Sequence, residues 1–392
     1  MPTLTSDAVR DVLALVGGDT VPGTAALLHA LDAAEEEPPP VAAVVRCLAR
    51  AGADGHTVLP AGLLLEMLVG QGASAAQSVA ALAAAVDTGH VLAFEPESDP
   101  ASGPGSAPES RSDADAAPGV PSADTLFALA DIGMAEESVA ETLQLLLAAA
   151  DVRVEDVPYG AVPSDPDAVD LRTADVVAAA ALLERAADRD RVVLVGDSAL
   201  PPPAGPGQVV ADLFAAAPGL GLTVDTREPQ PGTPPVIARL CAAVRAGALP
   251  RVDDPTREVV IVRAADGAEA AHRARQLVTD SLPRALGLGG DDVVVLSPVR
   301  RGPAGTETLR AAGLPVPGLR EAAGRTWPGV VVVLPPEACG VLSRPLVYAM
   351  FSRATRHLSV VHAAGPELAR AVRETGARPR RTRLVALLTD GV

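Results

Sequence analysis

After about residue 151 the sequence carries six short β-branched runs, VRVEDV, RVVLVG, EVVIVR, DVVVLS, GVVVVL and HLSVVH, most of them set between helix-periodic segments such as AEAAHRARQLV. Strands so continuously apolar are covered on both faces, and their alternation with helices dictates an α/β fold on mostly parallel sheets. In such sheets ligands bind beyond the carboxyl ends of the strands. The loops that follow these runs are therefore where chemistry is expected.

The upstream third reads differently. From Pro2 to about Phe94 apolar residues recur at helical spacing, as in AALLHALDAA and AGLLLEMLVGQGASAAQSVAALAAAV, and GHVLAF then reads as a short strand or wing. This fits a small helical module with winged-helix character over 1–96, or equally an all-helical packing module. Residues 97–122 hold 14 Pro, Gly or Ser in 26 positions with five acids, too little apolar surface to order a chain. They read as a flexible acidic linker. A connecting helix is expected over 123–150, capped by Ser122 or Asp124, followed by one α/β domain over 151–250 and another over 251–392.

Charge narrows the function classes. The net charge is −17, which argues against a polyanion-binding protein overall, yet the halves differ. Residues 1–200 hold 9 Arg against 32 acids, and 201–392 hold 23 Arg against 17. Any phosphate contact belongs to the second half. All 32 basic residues are arginine, so no lysine chemistry is open to the chain. Cys47, Cys241 and Cys339 are widely spaced, without metal-ligand spacing, and read as reduced, buried packing residues. With no signal pattern and no long uncharged apolar run, a soluble cytoplasmic protein without membrane contact is expected.

Four stretches sharpen the reading: GDSALPPPAGPGQVVADLF, TREPQPGTPPVIARLCAAVRAGALP, VVVLSPVRRGPAGTETLR and LVYAMFSRATRHLSVV. In this order they resemble the later motifs of RecD-like superfamily 1 DNA helicases. Gly196, Asp197, Pro202, Gly205 and Gly207 fit that family's GDxxQLPxVGxG pattern without a gap, and Arg227 matches the Arg of its next motif. The segment from Ser297 to Leu309 is near the family's PMRRGPVGT, and Tyr348, Ala349, Ser352, Arg353 and Ala354 echo its sixth motif. GADGHTVLPAGLLLEMLVG and MAEESVAETLQLL resemble segments that precede the helicase core, the first of them after a helix-hairpin-helix region, so the resemblance implies helix-hairpin-helix character within 1–96. The resemblance implies tandem RecA-like domains of P-loop NTPase type. It places Arg353 at an arginine finger, and Arg300 or Arg301 at a second phosphate contact. Asp197, Gly205, Gly207, Arg227, Arg300, Arg301 and Arg353 are the nucleotide or phosphate candidates.

The departures are as informative. Leu200 and Glu228 stand where the family has glutamines, Thr355 stands at a basic position, and only Gly324 survives of the fifth motif. A P-loop needs a Gly-rich turn, a Lys and a Ser or Thr. The chain instead runs from the MAEESVAETLQLL helix almost directly into DVRVEDVPYGAVPSDPDAVD. Ser164 and Asp165 align with the family's Asp-Glu pair, or Glu155 and Asp156 are its remnant in reversed order; neither gives an acid pair at the required place. No Ser-His-Asp, zinc or H-E-x-x-H arrangement can be built.

The expected protein is thus a degenerate member without catalytic residues, cofactor or metal. It would be a DNA-binding or partner-binding accessory in DNA repair or recombination, with a partner that could supply the ATPase. Trp327 and the terminal arginines Arg378, Arg380, Arg381 and Arg383 are the DNA candidates, the arginines as a solvated or DNA-facing patch. Only seven aromatic rings exist, few for stacking single-stranded bases. The alternatives are an active ATP-dependent helicase with an atypical or partner-supplied site for ATP and Mg²⁺, and a purely structural interaction module.

Overall fold

The computed structural model describes residues 4–389 apart from 17, 96–120, 159–164, 228–233, 253, 320 and 323. Almost all of the segment read as a linker, together with Ser164 and Glu228, lies outside these residues.

The first five helices are α1 (Ser6–Val16), α2 (Pro22–Ala33), α3 (Pro39–Ala53), α4 (Ala61–Val69) and α5 (Ala75–Asp87). Proline opens α2 and α3, where its missing N–H costs nothing. At α5 a capping box pairs the Ser74 hydroxyl with Gln77 N–H and the Gln77 amide oxygen with Ser74 N–H. Beside these helices stand β1 (Leu59–Pro60), β2 (Val91–Phe94) and β3 (Leu126–Leu129), an antiparallel sheet in the order β1-β3-β2. The strand at Leu126–Leu129 corrects the expectation of helix from residue 123. Four apolar residues on a short run find ladder partners on both sides, and this outweighs a local helical pattern. The helix α6 begins only at Ala130 and runs to Ala149.

The next sheet consists of β4 (Asp151–Asp156), β5 (Ala168–Asp170), β6 (Arg191–Gly196) and β7 (Val224–Thr226), all parallel in the order β5-β6-β4-β7. Helices α7 (Val176–Glu184) and α8 (Val209–Ala216) cover it. The Asp175 carboxylate caps α7 through Ala178 N–H at 2.8 Å and reaches Gly23 N–H of α2 at 2.7 Å.

After α9 (Pro235–Arg245) comes a second parallel sheet, β8 (Val259–Arg263), β9 (Val293–Leu296), β10 (Trp327–Leu334) and β11 (Ala354–His362), in the order β8-β11-β10-β9. Helices α10 (Gly267–Gln276), α11 (Leu282–Leu286), α12 (Thr306–Ala311), α13 (Arg344–Phe351) and α14 (Glu367–Glu374) surround it, and α15 (Leu384–Thr389) follows. Successive strand residues point to opposite faces. Val330, Val332, Leu358 and Val360 pack with α9, α13 and α14, while Val331, Val333 and Val361 pack with α10 and α11. The chain is therefore a mixed α/β protein with parallel sheets.

The cores do not follow the boundaries read from sequence. One core runs from Val9 and Leu13 through Leu146, Leu194 and Leu213 to Leu384 and Leu388, across the boundary at 96. The helix α9, within the segment read as the first α/β domain, packs into the second sheet's core through Ile237, Leu240 and Val244. Periodicity shows that a helix has an apolar face, not which element covers it. Among the described residues no helix is long and apolar enough to cross a membrane.

Candidate functional site

Strands β4 and β6 lie side by side with Asp156 opposite Gly196, so Glu155, Asp156 and Asp197 gather at one carboxyl edge. All three are buried. Asp197 Oδ2 accepts from the Tyr348 hydroxyl at 2.8 Å, and Oδ1 accepts from Ala199 N–H at 3.0 Å. The Arg245 guanidinium ion-pairs with Asp156, lies 3.5 Å from Asp197 and donates to Ser198 Oγ at 3.0 Å. Asp156 also accepts from the Ser198 N–H and hydroxyl at 3.1 and 2.8 Å. Glu155 pairs with Arg227. Burial raises the pKa of Asp197, while the nearby Arg245 charge opposes the rise. Arg245 comes from α9 and Tyr348 from α13, both packed on the second sheet, so this cluster joins the two parallel sheets.

The loop after β6 is turned inward in a different way from a phosphate cradle. The Arg380 guanidinium donates to the carbonyls of Pro203, Gly205 and Gly207 at 2.7, 2.8 and 2.5 Å. The loop thus presents carbonyls to an internal cation, where a phosphate nest would present N–H groups. Gly207 sits at φ +89° with its N–H on Gly55 O, and a Cβ there would lie 2.9 Å from Val176. A Cβ at Gly205 would overlap the Asp175 carboxylate. Both glycines serve close packing of the loop on the start of α7.

Of the terminal arginines, Arg380 and Arg383 turn inward and do not belong to a solvated patch. Burial lowers the pKa of Arg380 to about 10. Arg381 bonds through its backbone, its N–H to His56 Nδ1 and its carbonyl to Thr57 N–H. The Arg383 guanidinium pairs with Glu137 and lies 3.2 Å from the Phe94 ring centroid. Its N–H donates at 2.8 Å to the buried carboxylate of Glu136, which also accepts from the Thr57 hydroxyl. Burial raises the pKa of Glu136 to about 7. Only the Arg378 and Arg381 side chains remain exposed. An Arg-rich run between an α/β domain and a short helix carries no local signal that it turns inward.

Between the two halves lies a cleft of about 670 Å³, bounded by the prolines after Leu200, Pro22 of α2 and Met350 of α13. Arg172, Arg353 and Arg380 reach it, as do Asp170 and Asp175. Arg353 is buried, donates from Nε to Ala349 O at 2.7 Å, and has its pKa lowered to about 9 by desolvation. It is one of the residues lining the cleft. Arg300 and Arg301 stay exposed on the loop after β9, Arg300 paired with Glu307, and neither lines the cleft. Trp327 is a core residue at the start of β10 with Arg325 over its ring at 5.1 Å, and it offers no open face for a base. Cys47 is buried and Cys241 and Cys339 are half-buried, the latter two a departure from full burial.

ATP and Mg²⁺, which the helicase resemblance implies, do not fit these residues. The strand-end carboxylates are already ion-paired with Arg227 and Arg245, with the Tyr348 hydroxyl donating to Asp197, and the Gly/Pro loop offers its carbonyls to Arg380. Among the described residues no group of three or more His, Cys, Asp and Glu could hold a metal. Sequence reasoning missed Arg245, which lies in an ordinary-looking helix end, AAVRAG.

No family model matches the sequence, and no curated protein matches it. Among solved structures the chain is similar to the complex structure of Arterivirus nonstructural protein 10 (helicase) with DNA, at 15% identity and a TM-score of 0.31, over 64% of this chain and 69% of that one. So loose a superposition bears on neither the site nor its chemistry.

Proposed function

We propose that the chain is a degenerate RecD-like protein of two RecA-like halves that does not turn over ATP itself. It works as a DNA-binding or partner-binding accessory in DNA repair or recombination, with hydrolysis supplied by a partner where required. The observation that supports this best is Arg245, whose guanidinium sits against Asp156 and Asp197 at the junction of the two sheets. Phosphoryl transfer relies almost wholly on positioning and on charge stabilisation of the transferring group. Here the carboxylates that would hold a metal are satisfied from within, and lysine is absent. The nucleic-acid half of the reading rests on Arg301, Arg378 and Arg381, which are exposed and make no ion pair among the described residues.

The test is turnover of ATP in Mg²⁺ with and without single-stranded DNA, alongside anisotropy with a labelled oligonucleotide. No turnover is expected in either case. DNA affinity is expected to fall about twentyfold between 50 and 200 mM salt if roughly three phosphates are contacted, and to vanish in the Arg301→Glu/Arg378→Glu/Arg381→Glu variant. DNA-stimulated turnover abolished by Arg353→Ala would overturn the first half of the proposal. No measurable DNA affinity in the parent would overturn the second and leave the partner-binding role, and affinity unchanged in the triple variant would overturn the assignment to these arginines.

A further inference from the structure

A second cavity, of about 630 Å³, lies on the second sheet where β8 and β11 end. Its position follows from topology. Arg263 and His362, the last residues of the two strands, are paired in register. The chain leaves β8 for α10, whose Ala270 and Ala274 pack on the face carrying Val361. It leaves β11 for α14, whose Leu368 and Ala371 pack on the opposite face with Val360. Two neighbouring parallel strands whose connections depart to opposite faces leave a crevice at their carboxyl ends, the place where open α/β sheets take ligands.

The chemistry of the walls is selective. The floor is apolar, with Leu240, Phe351, Val360 and Leu368 all buried. Arg251 and Arg263 stand at the rim, both exposed and neither ion-paired among the described residues. His362 lines the same cavity, and its Nδ1 is buried without a hydrogen bond. No described lining residue is a carboxylate, and nearby Glu367 is held by Arg370. A cavity of a few hundred Å³, apolar with a few convergent polar groups, has the makings of a small-molecule site.

We propose that this crevice binds a small amphiphilic carboxylate. Its apolar body lies on Leu240, Phe351 and Leu368, and its carboxylate lies between Arg251 and Arg263 beside His362. Two guanidiniums supply charge-assisted donors at the mouth, while the floor accepts a hydrocarbon chain or ring that water would otherwise cover. The site is separate from the Arg245 junction and does not depend on the reading of that junction.

Octanoate is the probe, and the His362 ring signal in ¹H–¹³C spectra of histidine-labelled full-length protein is the readout, assigned through His362→Gln. A saturable shift of that signal is expected, with octan-1-ol binding at least about tenfold more weakly because it lacks the charge. Arg251→Ala/Arg263→Ala, at two exposed positions, is expected to weaken octanoate about tenfold or more and leave octan-1-ol unchanged. The proposal fails if octanoate gives no saturable shift, if octanol binds equally well, or if the double variant binds octanoate as the parent does.

Discussion

Glu136 shows what a single buried carboxylate does to the molecule. Its neighbours, the Thr57 hydroxyl and the Arg383 N–H, favour the charged form, but burial outweighs them and lifts the pKa from 4.5 to about 7. A carboxyl whose folded pKa exceeds its unfolded one binds its proton more tightly in the native state. That contribution is fully present below pH 4.5 and lost as pH rises through about 7. We expect stability to fall by up to about 3 kcal/mol from this group between pH 5 and 8, and Glu136→Gln to remove that part of the slope in urea unfolding at several pH values. An unchanged slope in the variant would show that the carboxylate stays charged. At this scale the sequence was only half legible. GDSALP marked Asp197 as a strand-end acid, but nothing local marks Tyr348 and Arg245 as its partners, since they lie 151 and 48 positions along the chain. Trp327 read as a base-stacking candidate because exposure cannot be read from residue type alone.

Among the elements, the six β-branched runs all became strands, because a parallel ladder inside a two-sided core needs the continuous apolar character they carry. The strands Leu59–Pro60 and Leu126–Leu129 were not legible, being too short to show a period and fixed by pairing with each other across the sequence. Arg380 and Arg383 were misjudged for a related reason: a run of arginines looks solvated until three backbone carbonyls of another loop are found around one of them. Arg380 thereby fastens the chain's last described helix to the loop after β6. Arg380→Met strips the donors from the carbonyls of Pro203, Gly205 and Gly207. A loss of about 3 kcal/mol or more is expected, since buried acceptors are left without partners. Arg380→Lys recovers only a part, because one ammonium cannot match the fork of a guanidinium. Chemical denaturation of the two variants decides this, and a loss below about 1 kcal/mol for Met would mean that water replaces the arginine.

For the whole molecule, the fold class was legible and the division of labour between the halves was not. Two parallel sheets meet at a buried charge cluster, with Arg245 and Tyr348 contributed from one side and Asp156 and Asp197 from the other. Arg245→Ala leaves two buried carboxylates facing each other without a cation. The expected cost is about 3 kcal/mol near pH 7.5, smaller at pH 5 because Asp197, whose pKa is already raised, takes up a proton. Thermal unfolding at the two pH values, with hydrogen exchange at β4 and β6, checks this. An equal loss at both would assign the effect to packing of the Arg245 stem. The core that holds Val9 and Leu13 also holds Leu384 and Leu388. In that core the helix holding Leu384 and Leu388 packs on α6 and α8, so a ribosome making this protein releases α6 and α8 into water long before the residues that cover them exist. Contacts so distant in sequence make for a slow search, during which the nascent chain is at its most exposed to proteases and chaperones.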